Sequence, residues 1–255
     1  MKVIILGTGT SQGVPVIGCK CETCRSTDPK DKRLRTSAYI DAGDSMKILI
    51  DTSIDFRQQM LKNKIDDVDA VLYTHHHVDH INGMDDLRQI TQKHDKVIEL
   101  YGNKTTVKEM MISFRYVFEK ELIRHHAVPL VHFNKITNKV FKIGDVRIIP
   151  IECMHGNLKI FGYRINDFAY ITDCSAISDK ELKKLEGLKI LVLNALRIRP
   201  HPTHFNLQQA IEVAKKVKPK KTFFTHLTHD ILHDKINSTL PKGIELGYDG
   251  MEFKL

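Results

Sequence analysis

The chain has 255 residues, 42% of them hydrophobic, enough to build one large core. Its first seven residues hold only four consecutive apolar side chains, too few for a secretory segment, and no later run approaches the ~18 residues that span a bilayer, so a cytoplasmic protein is expected. The net charge of +8 suits an anionic substrate. Its densest cluster, Lys215-Lys216-Val217-Lys218-Pro219-Lys220-Lys221, reads as a helix end where cations meet the negative pole of the dipole. A nucleic-acid patch is the alternative, but no aromatic-rich basic stripe accompanies the cluster, and nucleic acid is not expected as a partner.

In chain order, Val3-Ile4-Ile5-Leu6 is a strand that runs into Gly7-Thr8-Gly9-Thr10-Ser11-Gln12-Gly13-Val14-Pro15. That stretch lacks the Gly-Lys-Ser/Thr ending of a P-loop and the G-x-G-x-x-G spacing of a dinucleotide site. It reads as a tight turn whose backbone approaches the active site. Gly18-Cys19-Lys20-Cys21-Glu22-Thr23-Cys24 follows, a C-x-C-x2-C cluster within an odd total of five cysteines. In a reduced compartment such crowding argues for metal over disulfides. Three thiolates can fill three corners of a tetrahedral zinc site and leave the fourth to a distant residue; free surface thiols are the alternative. Strands over 36–40 and 46–50 are joined by the turn-like Asp41-Ala42-Gly43-Asp44-Ser45. Asp51-Thr52-Ser53 can then cap a helix starting near Ile54.

The apolar run Asp69-Ala70-Val71-Leu72-Tyr73 reads as a buried strand and delivers Thr74-His75-His76-His77-Val78-Asp79-His80. Alternate side chains of an extended backbone point the same way, so His75 and His77 can converge on one ion. Asp79 and His80 come as the chain turns into a helix over 80–88, face another direction, and could hold a second ion. A histidine-rich surface loop is the bland alternative. A strand over 97–102 follows, then a helix over 104–122 with an apolar stripe through Val107, Met110, Phe114, Val117 and Leu122. His125, His126 and His132 lie in the loop beyond, as ordinary histidines or as residues on the rim of a site.

The second half again starts with strands, over 140–143 and 146–151 around a Gly144-Asp145 turn, ending in Glu152-Cys153-Met154-His155. Strands over 161–165 and 168–171 lead to Asp173, and one over 190–194 leads to a loop holding His201 and His204. A helix over 206–216, with Asn206 as its N-cap, precedes a last strand over 222–224 that delivers Thr225-His226-Leu227-Thr228-His229. A His or Asp thus stands just beyond one hydrophobic strand after another, where loops converge in layered α/β folds. The strand-then-helix pattern occurs twice. It fits two sheets packed face to face with helices outside, as a single domain over 1–255.

The H-x-H-x-D-H loop, followed in order by His155, Asp173 and His226, resembles the signature of the metallo-β-lactamase superfamily, a set of mostly two-metal hydrolases. The resemblance spans essentially the whole chain and implies an αββα sandwich, layered α/β in class. By position it implies His75, His77 and His155 at one metal, Asp79, His80 and His226 at a second, and Asp173 bridging both. Asp79 is counted with the catalytic residues as well. Asp51 would sit behind the histidines as a hydrogen-bond acceptor, unless it only caps a helix. Two divalent ions, zinc or manganese or iron, would share a hydroxide and neutralise phosphoryl charge.

Gly7-Thr8-Gly9-Thr10-Ser11, the C-x-C-x2-C cluster and Gly247-Tyr248-Asp249-Gly250-Met251-Glu252 are similar to the phosphoribosyl cyclic phosphodiesterases of the carbon–phosphorus lyase pathway. That family implies a structural zinc on Cys19, Cys21, Cys24 and His229, which fastens a small loop at about 18–25 to the active-site loop. His204-Phe205-Asn206 is similar to the H-x-S/T stretch of the same family and of tRNA 3′-processing endonucleases. It implies His204 as the group facing the scissile phosphate, with His201 a competing candidate. The implied activity is a metal-dependent phosphodiesterase acting on a small, cyclic phosphodiester. A tRNA 3′-processing nuclease is the nearest enzyme alternative, yet only seventeen residues separate His155 from Asp173, too few for the RNA-binding arm such enzymes carry there. A non-catalytic metal carrier of the same fold would lose ligands, whereas all seven positions are filled. The expected partner is therefore a small anionic phosphodiester, with no membrane and with a homodimer left open.

Overall fold

The computed structural model describes residues 1–43 and 46–255, so Asp44 and Ser45, the end of the expected turn after Asp41, lie outside the described residues. The first sheet contains β1 (Lys2–Gly7), β2 (Ser37–Asp41), β3 (Lys47–Ile50), β4 (Ala70–Leu72), β5 (Ile98–Gly102) and β6 (Val131–Lys135). The second contains β7 (Phe141–Ile143), β8 (Val146–His155), β9 (Leu158–Ile165), β10 (Phe168–Ile171), β11 (Ala176–Ile177), β12 (Ile190–Asn194), β13 (Lys221–Thr225) and β14 (Ile244–Leu246). The last strand, β15 (Met251–Lys254), returns to the first sheet and pairs antiparallel with β1. The orders are β15-β1-β2-β3-β4-β5-β6 and β11-β8-β9-β10-β12-β13-β14, with β7 on the edge of β8.

Alternation along the strands builds the layers. Val3 and Ile5 of β1, and Ile48 and Ile50 of β3, enter a shared core with Phe168 and Tyr170 of β10 and Ile190 and Val192 of β12. The intervening Ile4, Leu6 and Leu49 point the other way, onto helices carrying Phe56, Met60, Leu87 and Met110. On the far side, Ala169, Ile171, Leu191 and Leu193 pack against Ala210, Ile211 and Ala214 of the helix Leu207–Val217. Each central strand is apolar on both faces because each face is covered, which is why these strands read as continuous hydrophobic runs. Helix, sheet, sheet, helix is the αββα sandwich the sequence led us to expect.

Several local expectations are corrected. The helix expected over 80–88 is broken: one turn spans Val78–Ile81, and a second helix starts at Leu87. Gly83 lies in the interruption, where only glycine fits, since a Cβ there would stand 2.2 Å from the Ser53 carbonyl oxygen. The helix over 104–122 also divides, into Lys104–Ser113, a 3₁₀ segment Arg115–Phe118 and Lys120–Arg124. The helix expected near Ile54 begins at Phe56 instead, so Asp51 is not its cap. His155 is the last residue of β8 rather than a residue beyond it. That strand runs through Pro150, which is tolerated because β7 pairs only up to Ile148 and β11 only from Cys153, leaving the edge at Pro150 without a ladder to break. The Lys215–Lys221 cluster does end a helix, with Lys218 in the left-handed conformation at φ 54°.

One polar tie joins the two ends of the chain. The Arg33 side chain is fully buried and donates to Asp31 at 2.9 Å, to the Thr228 carbonyl at 2.8 Å and to the Ile231 carbonyl at 2.6 Å. Asp31 also accepts the His233 backbone N–H at 2.9 Å. Truncation at Arg33 takes a donor from the buried Asp31 carboxylate and from the carbonyls of Lys30, Thr228 and Ile231. Arg33→Ala should therefore lose about 3–5 kcal/mol of stability, read as a shifted urea midpoint; a shift below about 0.5 kcal/mol would show the tie to be dispensable.

Candidate metal centres and active site

β3, β4, β5 and β6 run parallel, as do β10, β12, β13 and β14, so their carboxyl ends gather at one edge of the sandwich. Two hydrogen bonds stitch the sheets together there. The Tyr163 hydroxyl donates to the Tyr73 carbonyl at 2.6 Å. The Phe161 N–H donates to the Thr74 carbonyl at 3.1 Å, which satisfies both backbone groups and sets the start of the histidine loop against β9.

The structure brings the expected donors together in two adjoining sets. His75, His77 and His155 form one; Asp79, His80, Asp173 and His226 form the other; in each, the donor atoms lie within 4.8 Å of one another. Asp173 also groups with His155 and His204 by the same measure, so its carboxylate stands between the sets. Two of these donors and the acceptor behind them depend on unusual backbone: Asp173, His226 and Asp51 have φ of 56°, 55° and 62°. Left-handed non-glycine residues cost on the order of 1 kcal/mol each, and here the turn re-aims a side chain from the strand's end into the cleft. Asn194 holds the Asp173 turn in place, accepting the Cys174 N–H at 2.8 Å and donating to the Cys174 carbonyl at 3.0 Å.

Behind the donors, hydrogen bonds fix which ring nitrogen His80 and His155 present. Asp51 is completely buried and accepts from the Thr74 N–H, the Thr74 hydroxyl and His80 Nδ1, each at 2.8 Å. His155 Nδ1 donates to the Thr203 carbonyl at 2.8 Å, which leaves Nε2 for the cleft. Thr74 and Thr203 are supporting residues that the sequence did not reveal, because nothing in their local pattern marks a threonine as the neighbour of a distant histidine.

Burial and charge set the protonation states. Burial, aided by His80 nearby, holds His75 well below the usual histidine range, and burial brings His226 down to about 4. His75 is thus a neutral imidazole with a lone pair to give. For Asp173, burial alone would raise the pKa, but His226 and His80 outweigh it and keep the carboxylate well below its ordinary range. Burial likewise opposes charge on His80, yet Asp173, Asp79 and Asp51 overcome it and hold the ring up. His80 Nε2 is fully buried and has no well-aligned hydrogen bond, although Asp173 Oδ2 and Asp79 Oδ2 lie 3.2 and 3.4 Å away. An orphaned nitrogen facing two ionised carboxylates is what a divalent cation would satisfy, and the donor set fits one.

The cysteine cluster has a similar logic. His229 Nδ1 stands 3.2, 3.5 and 3.6 Å from the sulfurs of Cys19, Cys21 and Cys24. One imidazole nitrogen cannot satisfy three sulfurs by hydrogen bonding, whereas S₃N around a cation is an ordinary tetrahedral zinc set. Burial pushes the Cys24 thiol up to about 11, so a cation would be needed to hold it as thiolate at neutral pH.

His204 lies beside the donors, its Nε2 3.1 Å from Asp173 Oδ1 and its ring stacked on His226 at 5.0 Å and 12°. His201 is next to it, Nδ1 to Nδ1 at 3.1 Å. His132, by contrast, sits on β6 and binds Glu99 at 2.8 Å, and His125 and His126 are exposed beyond the helix Lys120–Arg124. None of those three belongs to the donor sets found among the described residues.

Comparison with known proteins places this geometry. Residues 46–227 match the model of the β-lactamase superfamily domain. A crystal structure of a new diphosphatase from the PhnP family is 39% identical and superposes with a TM-score of 0.93, over 100% of this chain and 97% of that one. Zinc-bound PqqB from Methylobacterium extorquens and the short form of human tRNase Z share the fold at 18% and 16% identity, with TM-scores of 0.79 and 0.71 and essentially full coverage of both chains. A Porphyromonas gingivalis protein named octanoyltransferase is 39% identical over 99% of this chain, which spans only about half, 51%, of that relative's length. The superfamily match across most of the chain, and the nearly end-to-end likeness to the diphosphatase, establish that the chain belongs to the metallo-β-lactamase superfamily and, within it, to the PhnP family.

Proposed function

We propose that the protein is a metal-dependent hydrolase of a small phosphodiester, with a cyclic phosphoribosyl-type ester as its substrate class. The observation that carries this reading is the gathering of seven His and Asp donors in two adjoining sets, with His204 touching the shared Asp173 carboxylate. In this reading His75, His77 and His155 hold one divalent ion, Asp79, His80 and His226 hold another, and Asp173 reaches both. Zinc, manganese and iron all suit such a donor set. Bound there, the ions would neutralise charge on phosphoryl oxygens and acidify a water.

The chain's own residues do the positioning. Asp51 and the Thr203 carbonyl hold His80 and His155 by Nδ1, so that each presents Nε2. His204 delivers a proton from Nε2 to the sugar oxygen as its bond to phosphorus breaks. The interval from His155 to Asp173 is taken up by β9 and β10, which supports a small substrate over a folded RNA. Three unpaired cysteines placed with His229 as a cation site fit a reducing, cytoplasmic setting; among the described residues no helix is long and apolar enough to cross a membrane.

The diphosphatase relative favours a second reading, cleavage of a phosphoanhydride. A phosphate leaving group departs without needing a proton, so His204 would then matter little. Acyl transfer, the activity in the name of the longer relative, finds less support here. Cys153 and Cys174 are 1% and 0% exposed, too buried to serve as nucleophiles, and the other three cysteines converge on His229.

His204→Ala should lower kcat on a cyclic ribose phosphate by about 10²–10⁴-fold while the protein keeps its metal. The loss should shrink for a nitrophenyl ester; loss of metal, or no loss of rate, would remove His204 from that role. His229→Ala should release one equivalent of zinc and lower the thermal midpoint while the active-site ions stay bound. Elemental analysis finding no zinc in the wild-type protein, with Cys19 and Cys24 joined as a disulfide, would contradict the cysteine-site reading.

A further inference from the structure

We propose that His201 is a positioning residue for His204, fixing by hydrogen bonding which ring nitrogen of His204 carries hydrogen and which faces the cleft. The inference rests on the reading of His204 as the group that protonates the leaving oxygen. The Thr203 backbone N–H points at His201 Nδ1, 3.3 Å away. A backbone N–H can only donate, so His201 Nδ1 holds a lone pair. His204 Nδ1 lies 3.1 Å from that same nitrogen and must therefore bring the hydrogen. The Thr203 hydroxyl sits between the two, 3.0 Å from His204 Nδ1 and 3.2 Å from His201 Nδ1, and can accept from the first or donate to the second. The nitrogen left over on His204, Nε2, is the one beside Asp173.

The surroundings keep this arrangement rigid. His201 stands between Pro200 and Pro202, whose rings restrict the backbone. Arg197 ties the loop down by donating to the carbonyls of Arg199 at 3.3 Å and Pro200 at 2.9 Å. The His204 ring is further clamped between His226, stacked at 5.0 Å, and His155, edge-on at 4.6 Å. Burial, with His204 and Arg197 nearby, holds His201 below the usual histidine range, in keeping with a neutral acceptor.

The consequence is chemical. As the phosphorus–oxygen bond breaks, its electron pair takes the hydrogen from His204 Nε2, and the neutral ring that remains carries its hydrogen on Nδ1. That is the tautomer His201 and Thr203 are placed to receive. Without the acceptor, the ring can settle in the other tautomer, with a bare Nδ1, and the productive arrangement is lost.

The experiment compares His201→Leu and His201→Asn in the fully metal-loaded protein, with 2′,3′-cyclic AMP and bis(4-nitrophenyl) phosphate as substrates. His201→Leu should lower kcat on the cyclic ester by about 10- to 100-fold with little change in KM, and much less on the nitrophenyl ester. His201→Asn, which restores an acceptor oxygen, should recover most of the loss. In ¹⁵N-histidine spectra of the zinc form, the hydrogen of His204 should sit on Nδ1 in the wild type and redistribute in His201→Leu. Equal losses on both substrates, no recovery with Asn, or an unchanged His204 tautomer would overturn the role of His201. His204→Ala, run alongside, separates the two ideas: if it leaves the cyclic ester untouched, the general-acid reading itself fails and takes this inference with it.

Discussion

Asp173 is a deeply buried acid, held ionised by the histidines that enclose it. His80, His204 and His226 all place a ring nitrogen within 3.1–3.2 Å of its two oxygens. A carboxylate this buried would ordinarily take up a proton, since desolvation penalises its charge more than any other single effect. The ring of imidazoles reverses that preference, and the rest of the edge is organised to keep those imidazoles in place. Asp51 fixes His80, Thr203 fixes His155, and Asn194 braces the turn that carries Asp173 itself.

The same constraint links the active edge to the cysteine loop. His226 and His229 are three residues apart, one facing Asp173 and the other the three sulfurs. Arg33 and Asp31 reach across to Thr228, Ile231 and His233, so the N-terminal loop is fastened to the same segment by polar contacts as well. The loop after β13 is thus held at four positions just beyond His226. Left-handed backbone at that histidine persists because its surroundings leave it no alternative.

The layered fold was legible in the sequence because the central strands are covered on both faces and so are apolar throughout. The donors were legible for a different reason: H-x-H-x-D-H is a local pattern, and His155, Asp173 and His226 each close an apolar run. What stayed hidden depends on distant contacts. Gly83 is packed so closely on the Ser53 carbonyl that no side chain fits there, and Asp51 could be read as an acceptor behind the histidines or as a helix cap until its φ of 62° and its contacts with Thr74 and His80 decided for the former. β14 and β15 are short, and their apolar residues give no run long enough to stand out. His201 and His204 could be ranked from the sequence only as rivals, whereas the structure sets them nitrogen to nitrogen.

The most direct measurement is stepwise reconstitution of the chelator-stripped protein, with hydrolysis of 2′,3′-cyclic AMP followed against equivalents of added manganese or zinc. A dinuclear phosphodiesterase should be inactive when stripped and regain full rate with a break at two equivalents beyond any metal that the cysteine cluster takes up. Full activity in the stripped protein, or no phosphodiester turnover with any divalent ion, would contradict it.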